Sequence, residues 1–418
     1  MIYKVFLYII LFCYIYPIYL KFFPIPTDRI IQIFGFGLIL FDLPYRKLVF
    51  KIKNLYIFYL TSLIFLVLIF LIQNWNYDEI DLYFFKNHLD IFLYFFPAYL
   101  IVYLLYKIDK NKILPNLFDT LILISVFQSI VSLMFFFIPS LFEFYTNLLS
   151  SNASQGLLTR LGQIEKRLMG IGSAFFTGVI KYSIPFFLLI LLPNLKTDLY
   201  KNKKLYILSF ILVTVGGLMT GRTFFIAIFL GLLLYILFDL KNAFRLIYKV
   251  IPIIIILAFI VYGLMFSLGN EQKLERAFNF VFELFINYKE SGEITSNSST
   301  GTLNMYKFPT NTKTWLVGDG KMLMPNGSYY MGSDVGYVRL IFYFGIVLTV
   351  LYFIYQIFLL VLIKSKTKNK EIRKFMLVML LWLFILNFKG LTNFNDYFIL
   401  IFLAFGVSNQ VYIKHERK

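Results

Sequence analysis

The 418-residue chain has one cysteine, Cys13, and two histidines, His88 and His415. An intrachain disulfide is therefore excluded, and so is a metal site built from Cys and His. Charge is scarce as well: 15% of the residues are Asp, Glu, Lys or Arg, against about 25% in an average soluble domain. Acidic residues are the scarcest, 22 against 40 basic ones, which leaves a formal net charge of +18. No phosphate-cradling glycine loop, nucleophile elbow or zinc signature is present. A repeat with a period of about 20 to 50 residues is also missing, and the two halves share no motif, which weakens an inverted-repeat transporter reading.

What the chain has in excess is apolar surface. Hydrophobic residues make up 60% of it and aromatic residues 20%, with 51 Phe and 31 Tyr, and the mean hydropathy is +0.76. So much apolar surface must face something other than water, and the apolar runs recur from end to end. The composition predicts an all-α polytopic membrane protein, residues 1–418 forming one integral membrane domain in the lipid bilayer. The positive charge suggests nucleic acid, but the basic residues sit in short loops between apolar runs, as inner-face anchors do. Nucleic acid is not expected as a partner.

A spanning helix needs about 20 apolar residues, fewer with snorkelling flanks. By that ruler twelve spans are expected: Tyr3–Leu20, Ile30–Phe41, Leu55–Ile72, Ile91–Tyr106, Leu117–Phe142, Ser173–Leu192, Leu205–Met219, Thr223–Phe238, Val250–Phe266, Gly336–Ile363, Phe375–Leu386 and Tyr397–Ile413. The first lacks a small-residue cleavage site, having Tyr14, Tyr16 and Tyr19 near its end, so it is read as a span and not as a signal peptide. The Lys and Arg residues concentrate on one side, which is expected to be cytoplasmic and to hold both termini. Two larger loops, 142–172 and 267–335, then face outward.

Residues 205–238 as one helix would be about 51 Å long, too long for a bilayer of about 30 Å. Both flanks are basic, so the segment is expected to fold into a hairpin at Met219-Thr220-Gly221-Arg222-Thr223. Glu271–Glu290 reads as an amphipathic helix with Leu274, Phe278, Val281, Phe282 and Phe285 on one stripe, suited to the outer interface. Ser291–Thr302, rich in Ser, Thr and Asn, is expected to be mobile.

Arg160, Arg167, Arg222 and Arg339 are all expected at or near the outer face, where a lipid-linked diphosphate lies and where guanidinium groups grip phosphate oxygens in pairs. Contact with lipid headgroups explains Arg160 and Arg167 as well; Arg222 and Arg339 lie where ionisable groups usually face a functional cavity. Lys181, deep in the sixth span, is read either as a second phosphate contact or as an ion-pair partner of Glu143 or Asp119. Asp334, at the mouth of the tenth span, is the first choice for a general base, although Ser333 and Asp334 also suit a helix N-cap. Asp319, between two glycines, reads more readily as a turn residue. Glu165, Glu143 and Asp396 are reserve carboxylates, and Asn393 and Asn395 can hydrogen-bond a sugar. Trp315, Tyr329, Tyr330 and Tyr337 are candidates for sugar stacking, and both histidines are read as solvated.

On these residues the chain resembles an O-antigen polymerase of the Wzy type, an integral membrane glycosyltransferase related to O-antigen ligases. The resemblance covers most of residues 160–350 in layout. It is carried by the Thr220-Gly221-Arg222 tip, the basic loop leading into Gly178, the Gly318-Asp319-Gly320 element and Ser333-Asp334-Val335-Gly336-Tyr337 running through Arg339 to Tyr343-Phe344-Gly345-Ile346. Ligases usually carry a histidine-asparagine pair near Asp334, and its replacement here favours the polymerase.

The resemblance implies polymerisation of undecaprenyl-diphosphate-linked oligosaccharide repeat units at the periplasmic face of the bacterial inner membrane. It implies no metal, nucleotide or other cofactor, and a chain-length regulator protein as a partner. Asp334, Arg222 and Arg339 would be catalytic; Arg160, Arg167, Lys181, Tyr337 and Asp319 would bind substrate. An O-antigen ligase and a flippase for lipid-linked oligosaccharide are the alternatives.

Overall fold

The structure is a computed structural model that describes residues 2–76, 81–158, 167–173, 175–195, 197–238, 271–293, 295–325, 327–364 and 369–416. Among the described residues the regular elements are helices, and extended pairing is confined to the isolated bridges Leu20–Leu149, Gly170–Ser173 and Leu323–Tyr329. Five helices are long and apolar enough to cross a membrane: Tyr83–Ile108, Ile113–Phe137, Phe175–Leu195, Lys203–Thr220 and Gly336–Ile363. Leu43–Phe50 and Leu55–Leu71, bent by 73°, make a sixth if the pair is one span. A helix stands at each expected apolar run within the described residues; the run Val250–Phe266 lies outside them.

The chain divides into two compact units. The first comprises Met1–Ile31 and Pro115–Ser296, the second Gln32–Leu114 and Asn297–Lys418.

In the first unit, Ile113–Phe137 carries its polar residues without exposing them to lipid. Thr120, Ser125, Ser129 and Ser132 each donate a hydroxyl to the carbonyl four residues back, which satisfies the hydroxyl where water is absent. Ile138 precedes Pro139 and ends the helix, as residues before proline tend to do. The expected hairpin is present: one helix, capped by Asn202, runs from Lys203 to Thr220 and the next from Phe224 to Phe238. Gly217 lets Phe224 fold back across it, since any Cβ there would strike the ring.

The amphipathic helix also forms, over Glu271–Ser291, but its buried face differs from the expected stripe. Ala277, Phe280 and Val281 are buried, while Phe278 and Phe285 are exposed. In a membrane protein an apolar stripe need not turn inward, because lipid accepts it equally well. The segment expected to be mobile holds a short helix, Asn297–Asn304.

The second unit contains a correction at His88. Expected in a solvated loop, it lies within the helix Tyr83–Leu93, 2% exposed, with Nε2 3.2 Å from the Ser62 carbonyl. The unit is built on the helix Gly336–Lys364, which breaks at Gly345 (φ 70°, ψ 178°). Such a break frees carbonyls that must find other donors. Residues 318–320 supply them: Asp319 N–H donates to Phe342 O, and Gly320 N–H to Tyr343 O at 3.2 Å. A Cβ at Gly345 would collide with the Leu316 carbonyl, so the close approach requires glycine.

Candidate functional site

In the first unit the hairpin places Arg222 between two apolar helices, beside one turn of the amphipathic helix. Arg222 Nη1 donates to Glu283 Oε2 in an ion pair whose side chains are 10% and 20% exposed. The Arg222 guanidinium also lies 4.6 Å from the centre of the Phe280 ring, and Arg167 lies 4.3 Å from the same ring. Phe280 and Glu283 are three residues apart, so one helical turn presents both ring and carboxylate. Phe175 adds a second ring under Arg167, 5.6 Å from its guanidinium. It does so from a left-handed backbone, φ 51°, a conformation that bulky residues adopt at a cost.

The Arg167 loop is tied to the hairpin. Leu168 N–H donates to Met219 O at 3.0 Å, and Leu168 packs with Phe136 and Ala277. The two guanidinium groups and Glu283 sum to a single positive charge in a partly buried setting. Burial, and then the charge of Arg222, push the Arg167 guanidinium down to about 10, with Glu283 acting against both. Arg167 is thus still cationic at neutral pH, and the site favours an anion with two acceptor faces. Lys181 stands in the same unit in another setting: its Nζ donates to the Gly172 carbonyl at 3.2 Å and lies 5.2 Å from the centre of the Tyr16 ring. Asp119, one of its expected partners, accepts from Leu199 N–H at 3.1 Å.

In the second unit Asp319 has both oxygens engaged. Thr314 donates to Oδ1 at 2.6 Å and Tyr330 to Oδ2 at 3.2 Å, so the carboxylate fastens the loop that fills the helix break. Tyr337 donates its hydroxyl to the Phe384 carbonyl at 2.9 Å and packs on Phe353 and Phe388, which spends it on helix packing. Asp334 is exposed where the helix Gly336–Lys364 begins, next to Ser333, which is buried, accepts from Val335 N–H at 3.3 Å and donates to Met305 O at 2.8 Å. Arg339 is 6% exposed in the first turn of that helix, with Tyr329 and Tyr83 at 4.2 and 5.9 Å from ring centre to guanidinium.

Of the residues singled out from sequence, Arg167 and Arg222 come together; Arg339, Asp334, Asp319 and Tyr337 belong to the other unit. Arg160 and Glu165 lie outside the described residues. Glu283, Phe280 and Asp81 were not anticipated. Glu283 meets Arg222 across 61 residues of sequence, so only its register with Phe280 on a helix next to the hairpin offered a signal. Comparison with protein-family models, with curated proteins and with solved structures finds no match for this chain.

Proposed function

We propose that the chain is a surface-polysaccharide polymerase, a membrane glycosyltransferase that joins undecaprenyl-diphosphate-linked repeat units. On this reading the chain spans the bacterial inner membrane twelve times with cytoplasmic termini, and loops 142–172 and 267–335 work at the periplasmic face. The observation that carries it is the pair Arg167 and Arg222, two cations on one phenyl ring with a single carboxylate paired to Arg222, at a hairpin tip between apolar helices. A lipid diphosphate needs just such a cluster, with its charged group held where apolar helices end.

The reaction is a displacement at the anomeric carbon of the growing chain. Its bond to the diphosphate oxygen breaks, a bond to a hydroxyl oxygen of the incoming unit forms, and the configuration inverts. Charge builds on the departing diphosphate, and fixed guanidinium groups in a poorly hydrated site stabilise it without reorganising. The proton of the attacking hydroxyl passes to a general base.

The test is the gel profile of surface lipopolysaccharide from a strain lacking the protein, with lipid-linked glycans extracted in parallel. Core capped with one repeat unit is the expected result, because flipping and ligation still work. Bare core with polymer stranded on undecaprenyl diphosphate would instead mark a ligase, and single units trapped on the cytoplasmic leaflet a flippase.

A further inference from the structure

Arg339 is a buried cation beside the rings of Tyr329 and Tyr83. It is 6% exposed, yet its Nε and Nη2 are buried without a hydrogen-bond partner. These two nitrogens are the donors of one edge of the guanidinium plane, the fork that meets both oxygens of a carboxylate or phosphate. The whole fork is unspent. Among the described residues no ion pair offsets its charge. A buried cation left in this way is costly, and native structures seldom tolerate it without a ligand or another compensating group.

The guanidinium lies over two aromatic rings, 4.2 Å from the centre of Tyr329 and 5.9 Å from that of Tyr83. Asp81 fixes both rings: its Oδ1 accepts from Tyr83 N–H at 2.8 Å, and its Oδ2 accepts from Met322 N–H at 2.7 Å and from Leu323 N–H at 3.4 Å. Leu323 in turn pairs with Tyr329 across a short bridge, and Tyr330 N–H donates to Met322 O at 3.1 Å. One carboxylate, spent on backbone donors, therefore sets the two rings that clasp Arg339. Tyr329 is itself 40% exposed, so the clasp reaches the surface. Gly327 (φ 78°), Met331 (φ 56°) and Gly332 (φ 65°) give the Tyr329 segment left-handed corners on either side.

We propose that Arg339, between Tyr83 and Tyr329, is a binding site for an oxyanion on a sugar-bearing ligand, a carboxylate or a phosphate held side-on by Nε and Nη2. This site belongs to the second unit and the cluster of Arg167 and Arg222 to the first, and it rests on the polymerase reading only for the carrier of the anion. An acidic sugar in the repeat unit and the phosphate of a lipid carrier offer the same chemistry.

The experiment is thermal unfolding of the full chain in detergent against rising glucuronate, inorganic phosphate and, as the uncharged control, glucose. It is run on the native chain, on Arg339→Gln and Arg339→Lys, and on Arg222→Ala, which removes the other anion site. Glucuronate should stabilise the native chain and Arg222→Ala alike, glucose should not, and Arg339→Gln should bind glucuronate about tenfold more weakly or worse. Arg339→Lys keeps the charge but not the fork, so if Gln at that position prevents folding the same loss is read from Lys. A response confined to phosphate and dependent on Arg339 would identify a phosphate-bearing carrier and still support the site. Anion responses that are the same with and without the Arg339 fork would overturn it. Failure of the polymerase reading is distinguishable, since it would appear in the lipopolysaccharide profile while the Arg339-dependent response remained.

Discussion

Arg222 and Arg339 lie on aromatic faces in much the same way, and they differ in what meets their edges. Arg222 spends donors on Glu283 and shares the Phe280 ring with Arg167, so its charge is partly met within the fold. Arg339 keeps the Nε and Nη2 fork unspent between Tyr329 and Tyr83. Rings contribute about 0.5–2 kcal/mol to holding a guanidinium, enough to orient it but too little to replace the water it loses on burial. The difference is therefore one of readiness. The first site must exchange Glu283 for a ligand oxyanion, whereas the second has donors waiting.

The largest expected effect on this comparison comes from Arg222→Ala. It removes the stronger grip of the first site, so pyrophosphate affinity measured by calorimetry should fall roughly 100-fold, about 3 kcal/mol for charged hydrogen bonds lost together. The clasp at Arg339 should be untouched, and a parallel loss of its anion response would break the distinction. Next comes Gly345→Ala, which acts on the second unit alone. Alanine there adopts an unfavourable φ of 70° and strikes the Leu316 carbonyl, so the loop 316–320 must leave the helix break. A loss of about 2 kcal/mol in stability is expected from strain and collision together, read as a lowered midpoint of thermal unfolding. A smaller effect is expected for Glu283→Gln, which makes the first site resemble the second. With its internal competitor neutral, Arg222 should bind pyrophosphate about tenfold more tightly. Weaker binding would mean that Glu283 holds Arg222 in place and does not compete with the ligand.

The smallest effect is a pH dependence. Arg167 is held down to about 10 by burial and by Arg222, against the pull of Glu283. A group that binds as a cation loses affinity as pH rises through its pKa and gains nothing below it. Sulfate, whose own charge is constant in this range, should therefore bind the first site with unchanged affinity from about pH 7 to 9 and more weakly above about 10. A rise in affinity with pH would contradict the cationic role of Arg167.

How much of this was legible in sequence depends on the distance over which each contact acts. The hairpin at Gly221-Arg222-Thr223 was legible, because basic flanks and bilayer thickness leave a 34-residue apolar segment no other course. The helix Glu271–Ser291 was legible as an element but not in orientation, since Phe278 and Phe285 are as well placed facing lipid as facing the core. His88 was misread because Lys86, Asn87 and Asp90 look like a loop, while the helix that buries the histidine begins at Tyr83, ahead of the apolar run. Glu283 and Asp81 were invisible as partners: each meets its target more than sixty residues away in sequence, and no local spacing marks either. Arg339 was chosen for its place near the start of a span. That its fork lacks a partner is a property of three-dimensional packing, beyond the reach of any pattern in the chain.

The most direct test of the central claim is reconstitution of the purified chain in proteoliposomes with an undecaprenyl-diphosphate-linked repeat unit. The account predicts a ladder of products longer than one repeat with the native chain and single units alone with Arg222→Ala. A native chain that leaves the units single, or an Arg222→Ala chain that still builds the ladder, would contradict it.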